Sequence, residues 1–255
     1  MELFTVAGIV LAFIGIIGGM MVEGGHPTAL LSLPSFMIVM VGSFGALLIA
    51  TPVSDLGNAL KGLKSAFLPP KYPFQETMEK ILELANLARR EGLLALEAFT
   101  SSGDGDPFLV DCLTLAIDGS SAEAIRETVE TDMMIKEEEA KAGAKFWSNW
   151  AAYSPTVGVL GAVLGLIHVM QVLDEPALIG PGIAVAFVAT VYGVGFANVI
   201  CLPFAAKLGR QNEHAQLLMS MTLEGVVGIQ SGLAPGALRS KLSVYVHDKG
   251  KKEES

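Results

Sequence analysis

Four stretches of the chain carry no Asp, Glu, Lys or Arg, and the segments between them are as polar as any helix in water. They run from Leu3 to Val22, from Leu33 to about Ala50, from Ala151 to Leu173 and from Gly180 to Phe204. Each is close to the ~20 residues that a helix needs to cross ~30 Å of hydrocarbon. A water-soluble fold of 255 residues has no interior large enough to hide four such runs. The first run is expected to stay in the membrane rather than act as a cleaved signal. It opens Met1-Glu2 with no basic flank, its apolar stretch is too long, and no Ala-x-Ala-like site follows.

The polar segments read as helices too. From Glu76 to Phe99 apolar residues fall at Met78, Ile81, Leu82, Ala85, Leu93 and Leu96, which makes one greasy face, with Gly92 as a weak point. Pro69, Pro70 and Pro73 punctuate the entry, and Ser101 to Pro107 reads as a loop. Ser120-Ser121-Ala122-Glu123 has capping-box spacing, so a helix is expected to start there. Nothing from Ala122 to Ser154 stops it, and it should run on into the third span. The pattern predicts an all-α integral membrane protein: four transmembrane helices, a helical polar domain, and a long helix continuing into the third span. Its expected divisions are a hairpin over 1–52, a polar domain over 53–146, a second hairpin over 147–204, and a C-terminal helix with a charged tail over 205–255. No internal repeat is visible, and the charged tail from Lys249 to Ser255 is the one biased segment.

Charge supplies the orientation. Only 17% of residues are charged, and of the 17 Lys and Arg, ten lie between Lys61 and Lys145 and seven between Lys207 and Lys252. The turns at 23–32 and 174–179 have none. The positive-inside rule then puts both termini and the 51–146 segment in the cytoplasm. Trp147, Trp150 and Tyr153 stand where the third span enters, the place of an interfacial aromatic belt. A net charge of −9 argues against nucleic acid as a partner. Cys112 falls in the cytosolic part and Cys201 in the fourth span, so no disulfide is expected.

The chemistry is notable for what the spans lack. No phosphate loop, metal-ligand cluster or nucleophile elbow stands out, and neither an enzyme nor a resident cofactor is expected. His168 in the third span reads as a packing or interfacial residue before it reads as a proton relay. Ion-coupled membrane proteins bury a carboxylate in spite of its cost, roughly 2.5–3.5 kcal/mol at a helix centre. This chain has none there, so either it carries no ion or another chain supplies the carboxylate. Small residues point to where that chain would pack: Gly158, Gly161, Ala162 and Gly165 in the third span, and Ala186, Thr190, Gly193 and Ala197 in the fourth. The latter four fall within about 60° of one another on a helical wheel. Such faces admit a close helix, either a partner's or each other's. Thr190 is the one hydroxyl in the fourth-span stripe. Pro155 removes a helix hydrogen bond and frees the Ala151 carbonyl; with Pro203 it is a candidate hinge, or a passive kink.

Taken together, Glu23-Gly-Gly25, Ala88-Arg-Arg-Glu-Gly-Leu-Leu-Ala-Leu-Glu97, Pro155-Thr-Val-Gly-Val-Leu-Gly-Ala-Val-Leu-Gly-Leu166 and Ala189-Thr-Val-Tyr-Gly193 carry a resemblance to the MotA/PomA stator family of the flagellar motor. It extends over essentially the whole chain. The resemblance implies five copies around two copies of a single-span MotB- or PomB-like partner, whose intramembrane Asp carries the ion. It implies an inner-membrane location at the flagellar basal body, and contact of Arg89, Arg90 and Glu97 with the rotor protein FliG. By charge alone these three are a solvated helix face. Sodium-driven members resemble one another in having a threonine where this chain has Ala162, and a Thr-Thr pair where it has Ala189-Thr190. A hard cation wants several oxygen ligands and a methyl group offers none, so protons are the expected ion. The competing readings are an ExbB/TolQ-like energiser, which resembles three-span proteins with a periplasmic N-terminus, a self-contained transporter, which needs an intramembrane charge or broken helices, and a purely structural scaffold.

Overall fold

The computed structural model describes residues 3–103 and 105–253. Met1-Glu2, Asp104 of the expected loop and the last two residues of the charged tail lie outside them. Among the described residues there is no strand. The helices are α1 (Leu3–Val22), α2 (Leu33–Ala50), α3 (Val53–Phe67), α4 (Phe74–Glu91), α5 (Glu97–Ser102), α6 (Pro107–Ile117), α7 (Ala122–Gln171), α8 (Pro176–Gln230) and α9 (Pro235–Glu253). Four of them, α1, α2, α7 and α8, are long and apolar enough to cross a membrane, where the hydropathy pattern put the spans. The chain forms two compact units, residues 1–69 with 139–210 and residues 70–138 with 211–255. It crosses from one to the other three times, between α3 and α4 at 69/70 and inside α7 and α8.

The first unit holds the four spans. No residue of α1 is buried, which an apolar helix of this length tolerates in lipid and not in water. Ser32 caps α2 by accepting from the Ser35 backbone N–H at 3.3 Å, and Pro34 sits in the first turn, where its missing N–H costs nothing. Within α2 and α8 the residues Met37–Val41 and Phe196–Cys201 widen to π-helix, features that local sequence does not announce. By its contacts the first unit runs to residue 69 and includes α3. α3 buries Ala59 and Ala66 in the same apolar cluster as Leu47, Trp147, Phe204 and Leu208, and Phe67 meets Phe204 with ring centroids 5.4 Å apart. An amphipathic helix goes where its apolar face finds cover, and this one finds it on the membrane helices.

The second unit is a conventional core. Met78, Ile81, Leu82 and Ala85 of α4 are buried, on the face that periodicity marked out. They pack with Leu109 and Leu113 of α6, Met221 and Val226 of α8, and Leu238 and Leu242 of α9. The single helix expected over 76–99 is two helices. Gly92 at φ +88° ends α4 in a conformation that L side chains avoid, and a 3₁₀ turn at Leu93–Leu96 leads into α5. The helical run extends to Ser102, two residues into the expected loop. The cap of α7 shifts by one: Ser121, not Ser120, accepts from Ala124 N at 3.2 Å. α8 does not end with the membrane but runs to Gln230, since nothing between residues 205 and 230 breaks it. Cys112 is a free, buried thiol, and burial, helped by Asp111, pushes it up to about 12.

One ionic knot ties three helices of this unit. Glu224 of α8 takes Arg126 of α7 at 2.7 Å and pairs with Lys241 of α9 through its other oxygen. Burial works against the charge on Glu224, but the contacts with Lys241 and Arg126 outweigh it and hold the carboxyl below its ordinary range. A depressed acid contributes stability that is present above its unfolded value and lost as pH falls through the folded one. Glu224→Gln is therefore expected to destabilise the purified protein by roughly 1–3 kcal/mol near neutral pH. Urea titrations followed by circular dichroism should show that gap closing in acid; a gap constant across pH would contradict this assignment.

Candidate functional site

The polar and small residues singled out in the membrane converge on the α7–α8 contact in the first unit. A Cβ placed on Gly158 would lie 2.9 Å from the Ala189 carbonyl oxygen and 3.2 Å from Gly193 Cα. On Gly161 it would lie 2.9 Å from Ala189 Cβ, and on Gly165 2.8 Å from Ala186 Cβ. On Gly193 it would strike the Ser154 carbonyl oxygen and come within 3.2 Å of Pro155 Cα. Within this chain Gly158, Gly161, Gly165, Ala186 and Gly193 lie in the α7–α8 contact, the internal one of the two uses open to these stripes. In lipid no hydrophobic drive brings helices together, so close backbone packing has to.

Three members of the stripes are not used up this way, and of these Ala197 is buried in the cluster with Trp147 and Phe204. Ala162 and Thr190 remain half-buried, and among the described residues the Thr190 hydroxyl has no hydrogen-bond partner. α7 passes Pro155 unbroken, although the Ala151 carbonyl loses its usual donor there. Pro203 is exposed, two residues past the π-helical stretch that ends at Cys201. His168 is exposed on the membrane part of α7.

A chain of hydroxyls was missed in the sequence. Ser35 and Ser43, the only hydroxyls of α2 before its C-terminus, are fully buried, as is Ser154. Ser35 Oγ donates to the Val185 carbonyl at 2.9 Å. Ser43 Oγ accepts from Trp150 Nε1 at 2.9 Å and lies 3.4 Å from Ser154 Oγ. Tyr192 donates its hydroxyl proton to the Leu30 carbonyl. Their signal was available, since a lone hydroxyl in an apolar span generally finds a partner helix. The expected aromatic belt is instead an interior cluster: Trp150 lies 4.8 Å from Phe196 and 5.2 Å from Phe44, and Trp147 5.4 Å from Phe204, centroid to centroid.

In the second unit, Arg89 and Arg90 are exposed in the last turn of α4 and Glu97 is exposed in the first turn of α5. Each sits where its helix dipole favours it. None of the three forms an ion pair among the described residues. Arg89 edges a cleft of about 230 Å³ that Gly92, Gln230 and Gly232 also line. Gln230 donates to the Ser120 carbonyl at 2.6 Å, while its Oε1 is buried without a partner among the described residues.

Comparison with known proteins covers both units. Residues 6–92 match the family model for the motility protein A N-terminal region, and residues 100–221 match that of the MotA/TolQ/ExbB proton channel family. Motility protein A of Bacillus subtilis is 36% identical over 250 residues, which is 96% of this chain and 91% of the relative. Among solved structures, Campylobacter jejuni MotAB superposes with a TM-score of 0.90 at 34% identity, covering 96% of each chain. The flagellar MotAB stator complex of Bacillus subtilis superposes with a TM-score of 0.88 at 35% identity, covering 98% of each.

The packing has a direct test. Gly193→Val forces a side chain into the Ser154 backbone, and overpacking of this kind costs about 1–3 kcal/mol or more. Thermal melts in mild detergent should show Gly193→Val and Gly158→Val clearly less stable than the wild type. Gly180→Ala, whose Cβ meets nothing within 4 Å, should melt with the wild type.

Proposed function

The chain belongs to the motility protein A family and is a stator subunit of a flagellar motor; on that premise we propose how its residues do the work. The subunit sits in the inner membrane at the flagellar basal body with both termini cytoplasmic. It assembles as a pentamer around a MotB-like single-span partner whose intramembrane Asp binds and releases protons. The observation that carries this reading is the complete lack of Asp, Glu, Lys and Arg in four spans. A stator must take up an ion, and this chain has nowhere of its own to hold one. What it contributes is wall: α7 and α8 locked by their glycines, with Ala162 and the unpartnered Thr190 hydroxyl on the flank. Methyl groups at Ala162 and Ala189 suit a proton, which needs the partner's carboxylate and no cage of oxygens. Pro155 and Pro203 are the places where the wall yields as protons pass. Membership in the motility branch, rather than the ExbB/TolQ one, is supported by the match over residues 6–92 and by the four spans.

Reconstitution tests the division of labour. Vesicles holding the chain alone should show no proton flux under an imposed potential, and vesicles holding chain and MotB-like partner should show it. Thr190→Val keeps the size and removes the oxygen, and should reduce that flux about tenfold or more. Flux from the chain alone, persisting in His168→Ala, would overturn the two-component reading.

Torque must leave through the second unit, and Arg89, Arg90 and Glu97 are the charges we assign to the FliG contact. Exposed pairs contribute on the order of 0–1 kcal/mol each, so Arg89→Ala or Arg90→Ala alone should barely slow swimming cells. Arg90→Glu combined with Glu97→Lys should stop most of them in soft agar. Normal spreading of the double reversal would return these residues to the status of a solvated face.

A further inference from the structure

We propose that the groove between α1 and the end of the fourth span in α8 binds an anionic phospholipid, with Lys207 on the phosphate and one acyl chain along the groove floor. The groove has a volume of about 340 Å³ and is walled by Phe4, Gly8 and Ile9 on one side and by Val199, Pro203 and Phe204 on the other. A Cβ on Gly8 would meet nothing within 4 Å, so the wall is hollow there rather than closed by packing. At its polar end the Lys207 ammonium donates to Thr5 Oγ1 at 2.6 Å. An apolar trough with a cation and a hydroxyl at one end has the build of a phospholipid: chain below, phosphate above. Basic pockets between membrane helices on the cytoplasmic side take acidic head groups on the same grounds.

The surroundings add charge of the same sign. α3 packs beside this end of α8, where a Cβ on Gly62 would come within 3.0 Å of Leu208. Its outward face carries the exposed Lys61 and Lys64. With Lys207 and Arg210 that makes four cations on α3 and the adjoining stretch of α8, against Asp55 on α3 and Glu213 one turn beyond Arg210. The assignment to the cytoplasmic leaflet, where anionic lipid gathers, rests on the orientation proposed above.

The chain contains its own reporter. Its two tryptophans are Trp147 and Trp150, and Trp147 lies 5.4 Å from Phe204, ring centroid to ring centroid, with Phe204 in the groove wall. Bromine on an acyl chain in the groove would therefore quench it. The full-length chain is reconstituted in phosphatidylcholine containing a small mole fraction of either dibrominated phosphatidylglycerol or dibrominated phosphatidylcholine. One cation near a membrane surface corresponds to roughly a fivefold preference for an acidic lipid. Quenching by the brominated phosphatidylglycerol should exceed that by phosphatidylcholine to about that extent. Lys207→Gln should bring the two lipids to parity, Lys207→Arg should keep the preference, and Gly8→Leu, which fills the hollow, should abolish the excess quenching by either lipid. Equal quenching by the two lipids in the wild type would overturn the proposal, as would a preference that survives Lys207→Gln. So would the absence of quenching by both, which is the result if a second copy of the chain covers the groove. The measurement needs neither partner nor rotor, so its failure leaves the stator reading standing, and failed proton flux leaves the lipid result standing.

Discussion

The contact of Gly158 with Gly193 is the constraint on which the membrane unit depends. Water drives apolar helices together, but lipid does not, because a leucine is as well solvated by acyl chains as by another leucine. What remains is dispersion at short range, and it falls off steeply with distance. The backbones of α7 and α8 must therefore touch, and side chains at either position would hold them apart. The hydroxyl contacts from α2, Ser35 to the Val185 carbonyl and Ser43 to the Trp150 indole, then fasten a third span to a pair that is already close. α1 is tied to α8 near its N-terminal end, by Lys207 to Thr5 Oγ1, and none of its residues is buried.

The second unit is held by other means. It has a water-driven core of buried Leu, Ile and Val, with the Arg126–Glu224–Lys241 knot across three helices. The two units thus respond to different variables. Acid loosens the second through one carboxylate, whereas the first contains no carboxylate in its spans to titrate. A stator subunit gains from keeping pH-dependent stability out of its membrane-spanning part.

The four spans and their charge asymmetry were legible because hydropathy and the placement of Lys and Arg are one-dimensional properties. The buried face of α4 was legible because 3.6-residue periodicity is local. What escaped the sequence was pairing. α3 looks like a soluble amphipathic helix, and only the location of matching apolar surface decides that it joins the membrane cluster. The glycine stripes allowed two partners, since a smooth helix face does not name what lies on it. Ser35 and Ser43 were passed over as background hydroxyls, although each is the sole polar group in its turn of α2. Gly92 was read as a weak point when its positive φ makes it a full stop. The resemblance to stator proteins filled the functional gap that pairing left, and the comparisons over both units bear the family out.

The order in which the chain is made sets a schedule for the α7–α8 contact. α7 enters the bilayer with its glycine face bare and with the Ala151 carbonyl short of a donor, and α8 is the last span to be synthesised. Only Val172 to Glu175 separate the two helices. At 5–20 residues per second, translation of the fourth span after that turn takes on the order of a few seconds. For that interval a surface shaped for one neighbour is open to any other helix in the membrane, including α7 of a nascent sister chain. The shortness of the turn is thus a form of quality control: it limits the time in which the newborn subunit can choose the wrong companion.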